Sequence, residues 1–459
     1  MRIGGLRPLV PILALILAGA CASGGGAGAL PRLEAQQQQE PQSASVNRAL
    51  GIAYYQAGKF PDARRALEKA TQLDPKDGTT ALYLGLTAEE QGDLPAARKA
   101  YSSYIEFGRT SRVRGQLQSK LAALSRKEIE ADAKVAVKQE STIGNDAGSS
   151  RTVAVLPMRF RGADSTLKPL ERGIADLLTT DLARSSQLTL VERSRMQALL
   201  DEMKLQQSGT TDVATNVRAG KMVRAGRVVQ GSILQMGGTN LRVDAAVINV
   251  PTTLIQGTAQ GADQLDQLFS LEKKIALDLF RQLGVALTVA ERNAIEERPT
   301  KSLAAFLSYS RGLTAEDEGR YDDASRHFND AARIDPSFNA AQQKGKEAAT
   351  VSAGVAATPA VVTASLSGTA EGAVVQAATQ GQTSTTSSTS TSGTTTGSTA
   401  KETAGGLNPS APGAATAGAT SSSTPPPSTP TGDPVAKGTG ADQGTQQGTV
   451  SFTIPRPKP

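Results

Sequence analysis

The chain has 459 residues, of which 38% are hydrophobic, and 49 Lys and Arg against 43 Asp and Glu give it a formal net charge of +6. A single cysteine and a single histidine exclude an internal disulfide framework and a metal site built from several Cys or His ligands. The length allows two or three domains, and the mild positive charge identifies no partner.

The first twenty residues have the three-part layout of a secretory signal peptide. Arg2 and Arg7 supply positive charge, the apolar run 10–17 follows, and small residues lead to Cys21. That run is too short to span a bilayer, which takes about 20 residues of helix. A cysteine directly after small residues resembles a bacterial lipoprotein signal, and the resemblance implies cleavage of residues 1–20 and lipidation of Cys21. The alternative is an ordinary exported protein with one stray cysteine.

Residues 21–43 contain three consecutive glycines and four consecutive glutamines. This composition predicts a flexible tether between the lipid and the folded part.

An internal repeat follows the tether. The stretch 49–75 aligns with 83–108 at a shift of 34 residues, which is the tetratricopeptide period. The shift relates Leu50-Gly51 to Leu84-Gly85, Gly58 to Gly92, Ala63 to Ala97 and Leu67 to Tyr101. We therefore predict tetratricopeptide repeats over 44–125, each an antiparallel pair of helices with small residues where the helices meet.

Protein or peptide partners are expected on the repeats. The candidate partner-binding residues lie on the first helix of each repeat: Leu50, Gly51, Tyr54, Leu84 and Gly85. Two adjacent repeats make little concave surface, and stable arrays usually need at least three. Packing of the repeats against the rest of the protein therefore remains the alternative.

Residues 126–150 are predicted as a linker whose first half could extend a helix. A third copy of the repeat lies far downstream, and it predicts a single helix hairpin over 299–348. The sequence leaves open whether this hairpin docks onto the first two repeats.

The middle segment, 151–298, predicts an α/β sandwich with a mixed sheet. The stretch 151–160 begins as a strand that is apolar on both faces, and 167–185 carries a leucine stripe with helical spacing. A short strand, 188–194, and two helices come next. Three strands with short connections then follow and are expected to be antiparallel: 227–236, 241–250 and 253–261. An amphipathic helix over 268–284 closes the order β-α-β-α-α-β-β-β-α.

Four stretches of this segment resemble the CsgG-type domain of curli assembly and transport lipoproteins: AVLPM at 154–158, LVERSRMQALLDEMKL at 190–205, VVQGSI at 228–233 and INV at 248–250. The resemblance implies a CsgG-like fold and an outer-membrane lipoprotein, and it raises the chance of a homo-oligomer. The secreting member of that family has a long insertion that builds a transmembrane hairpin of its pore. Only residues 237–240 stand at the corresponding place here.

No catalytic constellation is found, so we expect a protein that is not an enzyme and has no metal or cofactor. His327 falls on the second helix of the third repeat, and Asp176 and Asp181 are five residues apart on one helix, so they share no face well. Glu192 and Arg193 are expected to make a structural ion pair or cap. Arg218, Lys221 and Arg224 form a basic stripe, either a partner site or a solvated face.

The tail, 349–459, is dominated by Ser, Thr, Gly, Ala and Pro and predicts disorder. These elements together favour a lipid-anchored scaffold on the periplasmic face of the outer membrane. Such a scaffold would bind partners in envelope assembly or curli-type secretion and would not meet nucleic acid. The alternative is a subunit of an oligomeric CsgG-type secretion channel.

Overall fold

The computed structural model describes residues 26–143, 148–203 and 213–384. The predicted signal peptide, Cys21 and residues 385–459 of the predicted tail lie outside the described residues. Within the described residues, no helix combines the length and the apolar character needed to cross a membrane.

The N-terminal part is helical. Its six helices are α1 (Gly26–Gln39), α2 (Ala44–Gln56), α3 (Phe60–Leu73), α4 (Gly78–Glu90), α5 (Leu94–Phe107) and α6 (Ser111–Lys138). The pairs α2–α3 and α4–α5 are the two repeats. Gly58 and Gly92 have positive φ angles of 71° and 72° in the turn that follows each first helix, a conformation that glycine adopts at little cost.

Small residues set the distance between the paired helices, as the repeat pattern predicted. A Cβ atom on Gly51 would lie 2.5 Å from the Leu67 side chain, and one on Gly85 would lie 2.5 Å from the Tyr101 ring. The large side chain of each second helix therefore fills the space above the glycine of the first.

Over its described residues, the α/β domain contains six strands and its own helices. They are β1 (Thr152–Val155), β2 (Arg159–Arg161), α7 (Leu170–Leu182), β3 (Thr189–Leu190), α8 (Arg193–Glu202), α9 (Val213–Met222), β4 (Arg227–Gln235), β5 (Asn240–Asn249), β6 (Leu254–Gln264), α10 (Leu268–Leu283) and α11 (Val289–Glu296). The mixed sheet has the order β3-β1-β4-β5-β6, with β2 also paired to β4. The parallel pairs involve β1, β2 and β3, and the three later strands are antiparallel, as predicted.

One feature of the sheet is absent from the prediction. The first strand breaks at residues 156–158 and resumes as β2, again parallel to β4. Pro157 has no N–H to give to the ladder, and the N–H of Met158 turns away to the Glu171 carbonyl, at 2.8 Å. The interruption opens a concave region beside β4.

The two faces of the sheet pack against different helices. Val229, Ile233 and Val243 face a core that includes residues of α7 and α10, while Val228 and Ile248 face residues of α8 and α9. In β5 the buried residues alternate over Leu241, Val243, Ala245 and Val247, which places these side chains on the core face of the strand.

The downstream repeat consists of α12 (Leu303–Asp317) and α13 (Tyr321–Ile334), and α14 (Asn339–Ala356) follows it. Phe306 and Tyr309 of α12 share the core of α7 and α10. Helix α14 packs along α6, and a Cβ atom on Gly354 would lie 2.0 Å from the Ser119 carbonyl oxygen. The hairpin therefore docks on the N-terminal repeats through α14 and α6, and the α/β domain is inserted between the repeats in sequence.

Two predicted boundaries are wrong. The flexible tether is helical over 26–39, because Leu30 and Leu33 bury their side chains against the repeats. The first half of the linker extends a helix up to Lys138, as the sequence allowed, because α6 packs on α8 and α14. The tail is ordered up to residue 384: α14 ends at 356, and α15 (Pro359–Ala364) and α16 (Ala370–Thr379) follow.

Candidate protein-binding site

The candidate partner-binding residues lie on α2 and α4, the first helices of the two repeats. Gly51 and Gly85 are buried beneath the side chains of the second helices, so their assignment as partner contacts is corrected to a packing role. Leu50 is also buried in the helical core, and Leu84 is half-buried at its edge. Tyr54 is half-buried as well.

The Tyr54 hydroxyl already has a hydrogen-bond partner within the chain. Its hydroxyl donates a hydrogen bond to the Glu34 carboxylate of α1 at 2.7 Å. Burial, and then this carboxylate, raise the pKa of Tyr54 to about 12. Helix α1 therefore covers one end of the face that α2 and α4 form, where the sequence predicted partner binding.

A second segment covers the same side of the repeats. Residues 357–384, which include α15 and α16, run back over the first helices: α16 packs on α2 and α4, and α15 on α6. Val362, Leu366 and Ala378 join the apolar core of the repeats. The face formed by α2, α4 and α6, called the first-helix face below, is thus lined by the chain's own C-terminal helices.

Glu371 lies in the first turn of α16 and is 6% exposed, and its carboxylate is held by several hydrogen-bond donors. Its carboxylate accepts hydrogen bonds from the Tyr104 hydroxyl at 2.6 Å, from the Arg109 N–H at 3.0 Å and from the Thr110 N–H at 3.1 Å. The Thr110 hydroxyl donates to it as well and makes no cap bond of its own to α6. A negative charge at this place is favourable because the N-terminus of α6 carries the positive end of its dipole.

Two buried cations hold the ends of the segment. The side chain of Arg48 is 6% exposed, bonds Asp77 at 2.7 Å and also donates to the Ser384 carbonyl. At the other end, Lys120 donates to the Ala357 carbonyl at 2.7 Å. The segment is thus held by polar contacts at its two ends and at Glu371.

A second cluster joins the repeats to the α/β domain and is called the junction cluster below. It forms around Glu316 and Asp317 at the end of α12. Glu316 pairs with Arg126 of α6 at 2.6 Å and with Lys344 of α14 at 3.4 Å, and Arg193 of α8 bonds both acids. Arg172 of α7 also bonds Asp317, at 2.8 Å, so side chains from four other helices converge on this pair of carboxylates.

Glu192 and Arg193, the neighbours predicted to make an ion pair or cap, lie in two different ion pairs. Arg193 bonds Glu316 and Asp317 on a distant helix, while Glu192 pairs with Arg195 at 3.7 Å. Sequence spacing could not reveal this pairing, since more than 120 positions separate the partners.

The charges of the junction cluster shift one another's pKa values. Burial by itself would raise the pKa of Glu316, but Lys344, Arg193 and Arg126 outweigh it and hold that pKa at about 2. Burial raises the pKa of Asp176, which accepts a hydrogen bond from the Tyr309 hydroxyl at 2.8 Å. The cluster is fixed by packing and by these partners.

Asp181, the other acid of α7, lies in a separate buried group. It bonds Lys273 of α10 at 2.6 Å, and Glu272 lies 3.3 Å from the same ammonium. Burial and the neighbouring Asp181 raise the pKa of Glu272 well above its ordinary value. As the sequence indicated, the two aspartates of α7 do not act on a common point.

The remaining candidates are also engaged in the fold. His327 lies on α13 as predicted, its carbonyl accepts a hydrogen bond from Ser308, and burial lowers the pKa of its imidazole. Arg218 of the basic stripe bonds Glu140 at 2.6 Å, and Lys221 also has a partner. Over the described ranges, no three His, Cys, Asp or Glu side chains are grouped so as to hold a metal ion.

A cleft of about 810 Å³ lies on the α/β domain where the first strand breaks. Arg159, Arg161 and Lys168 line one part of it, and Gln230 and Asn216 line another. No pattern in the sequence indicated this cleft, because it depends on the interruption between β1 and β2.

Comparison with known families agrees with this architecture. Residues 48–111 match the tetratricopeptide repeat family, and residues 125–260 match the family described as curli production assembly/transport component CsgG. The chain therefore contains tetratricopeptide repeats and a CsgG-like domain, as its sequence motifs predicted. Repeats of this kind are protein-interaction modules.

Among solved structures, the C-terminal domain of LpoB from Salmonella enterica is similar to part of the chain. It is 17% identical, the match covers 28% of this chain and 93% of that domain, and the TM-score is 0.21. None of the curated proteins compared with the chain matches it.

Proposed function

We propose that the chain is a lipid-anchored scaffold of the cell envelope that binds proteins and is not an enzyme. In this proposal Cys21 carries the lipid, the outer membrane holds it, and the folded part lies on the periplasmic face. There it holds partners during envelope assembly or curli-type secretion. The signal-like sequence before Cys21 and the CsgG family match support this placement.

One observation carries the proposal: a CsgG-like domain is inserted into a helical repeat array and fixed to it by the junction cluster. Arg126, Lys344 and Arg193 reach Glu316 from three helices, so the domain and the repeats form a shared structure. Such an arrangement suits a scaffold, because a partner bound on the repeats is held at a defined position relative to the domain.

The secretion-channel alternative predicts a long segment between β4 and β5. The structure has only residues 236–239 there, and Gly237 and Gly238 turn the chain with positive φ. This short turn favours the scaffold over a subunit that contributes a membrane hairpin at this position.

The proposal is tested by expressing the 459-residue chain and its Cys21→Ser variant in a bacterium that processes lipoproteins. We expect the wild-type chain in the outer-membrane fraction and the variant in the soluble periplasmic fraction. Crosslinking in cells should then recover a reproducible set of partner proteins with the anchored form. Unchanged membrane association of the variant would contradict the anchor, and large rings in detergent would favour the channel.

A further inference from the structure

The first-helix face already holds a peptide-like ligand. Glu371 lies at the edge of this face, where a tyrosine hydroxyl of α5, a threonine hydroxyl and two backbone N–H groups before α6 bind its carboxylate. Val374 and Ala378 follow at helical spacing and are buried on the same side of α16. One carboxylate and a stripe of small apolar residues thus define what the face recognises.

This ligand does not belong to the repeat pattern. It follows α14 through the short helix α15, and α16 is a ten-residue helix made mostly of Ala, Val, Gly and Thr. Helices of this length are marginal in water without tertiary contacts. Helix α16 is therefore ordered by the face it lies on, and its undocking and unfolding are one process.

The segment buries a few small apolar side chains in the core of the repeats and is held by polar contacts along its length. The polar contacts are Lys120 at its start, Glu371 in the middle and Arg48 at its end, with single side-chain bonds from Gln116 to Ser365, from Gln56 to Thr379 and from Gln36 to Thr383. Each of these groups on the repeats would remain able to bond a similar backbone carbonyl, hydroxyl or carboxylate. The face is thus complementary to any segment with the same chemistry.

We propose that residues 357–384 are a resident ligand of the first-helix face and that a partner segment of like chemistry displaces them. The partner segment is a helix with a carboxylate in its first turn, followed by small apolar residues on one side. The proposal rests on the proposed scaffold function and adds to it that partner binding and release of α16 exclude each other.

The test uses a fluorescent peptide with the sequence of residues 366–384 and the full chain. Because the resident segment is tethered beside the face, its effective concentration is about millimolar and wild-type chain should bind the peptide weakly. The variant Glu371→Lys weakens only the resident segment, so we expect the peptide to bind it at least tenfold more tightly by fluorescence anisotropy. Glu68→Lys, at an exposed site on α3, is the matched control and should behave as wild type.

Two further variants test the recognised chemistry. A peptide with Gln in place of Glu371 should bind the Glu371→Lys chain about tenfold more weakly. Adding Tyr104→Phe to that chain should weaken binding of the acidic peptide and leave the Gln peptide little changed. Equal binding of the two peptides would overturn the carboxylate site.

Hydrogen exchange of the wild-type chain keeps the test independent of how well the variants fold. We expect the amides of residues 372–379 to exchange at least 100-fold faster than those in the middle of α4. Exchange as slow as in α4 would mean that the segment is a permanent part of the fold and would overturn the proposal. A dimer of the Glu371→Lys chain in light scattering would also overturn it, since the occupant would then come from a second copy. None of these results depends on Cys21, so they are separate from the test of membrane anchoring.

Discussion

The junction cluster gives the sharpest prediction for stability. Glu316 is 5% exposed and lies among Arg126, Lys344 and Arg193. In the variant Glu316→Gln the side chain keeps its shape but loses its charge, so three cations lose their common partner. Breaking a buried ion pair from one side is strongly destabilising, because the remaining charges stay buried.

The pKa of Glu316 sets the size of the effect. The folded chain lowers this pKa to about 2 from an ordinary value of 4.5. Each pKa unit corresponds to about 1.4 kcal/mol, so ionised Glu316 contributes about 3 kcal/mol to the free energy of unfolding at pH 7. Because the folded pKa is the lower one, this contribution is present above pH 4.5 and is lost as the pH falls toward 2.

Urea unfolding of the full chain, followed by circular dichroism, measures the effect. We expect Glu316→Gln to lose about 3 kcal/mol at pH 7 and the gap from wild type to narrow steadily below pH 4.5. Glu318→Gln is the control, since Glu318 is half-exposed two positions away and pairs with Arg320 at the surface. If Glu316→Gln were as stable as this control at pH 7, the cluster would not hold the repeats and the domain together.

Three further predictions follow from buried contacts. Gly173→Val should lower the free energy of unfolding by about 1–3 kcal/mol in urea titrations, because a Cβ atom there would lie 2.1 Å from the Ser310 hydroxyl; an unchanged midpoint would contradict the close approach of α7 and α12. Burial raises the pKa of Glu272, so the stability that its protonated form contributes is present below pH 4.5 and is lost as the pH rises toward its pKa in the folded chain. In thermal melts, Glu272→Gln should therefore be about 1–3 kcal/mol more stable than wild type at pH 9, and the difference in stability should be smaller at pH 5. Leu33→Asp should lower the free energy of unfolding by about 3 kcal/mol, while Gln38→Asp at an exposed site of α1 should change it little. Equal stabilities of the two variants would support the flexible tether that the sequence predicted.

Local patterns in the sequence were enough to predict most of the elements. The 34-residue shift that relates Gly51 to Gly85 identified the repeats, because the spacing of small and large residues follows from two helices in contact. The buried strand at 153–155 and the three antiparallel strands were also predicted, since their apolar patterns reflect which faces are covered.

The predictions were wrong for segments whose composition indicates disorder but which the packing of the fold makes helical. Residues 26–39 and 357–384 are rich in Gln, Gly, Ala and Thr, which by themselves bury too little apolar surface to fold. Both are helical because a preformed surface accepts a few side chains from each, such as Leu33 and Val362. The break between β1 and β2 was missed for a related reason, since a short strand after Pro157 depends on its partner β4.

The sequence by itself determined the helix pairs, the strands and the resemblance to the CsgG-type domain, because those depend on residues close together in the chain. Only the tertiary structure decided that the third hairpin docks on the first two and that Arg193 pairs with Glu316. It also decided that Glu371 occupies the first-helix face, 261 positions from Thr110. Such contacts join residues hundreds of positions apart, and their energy depends on the burial that the whole fold creates.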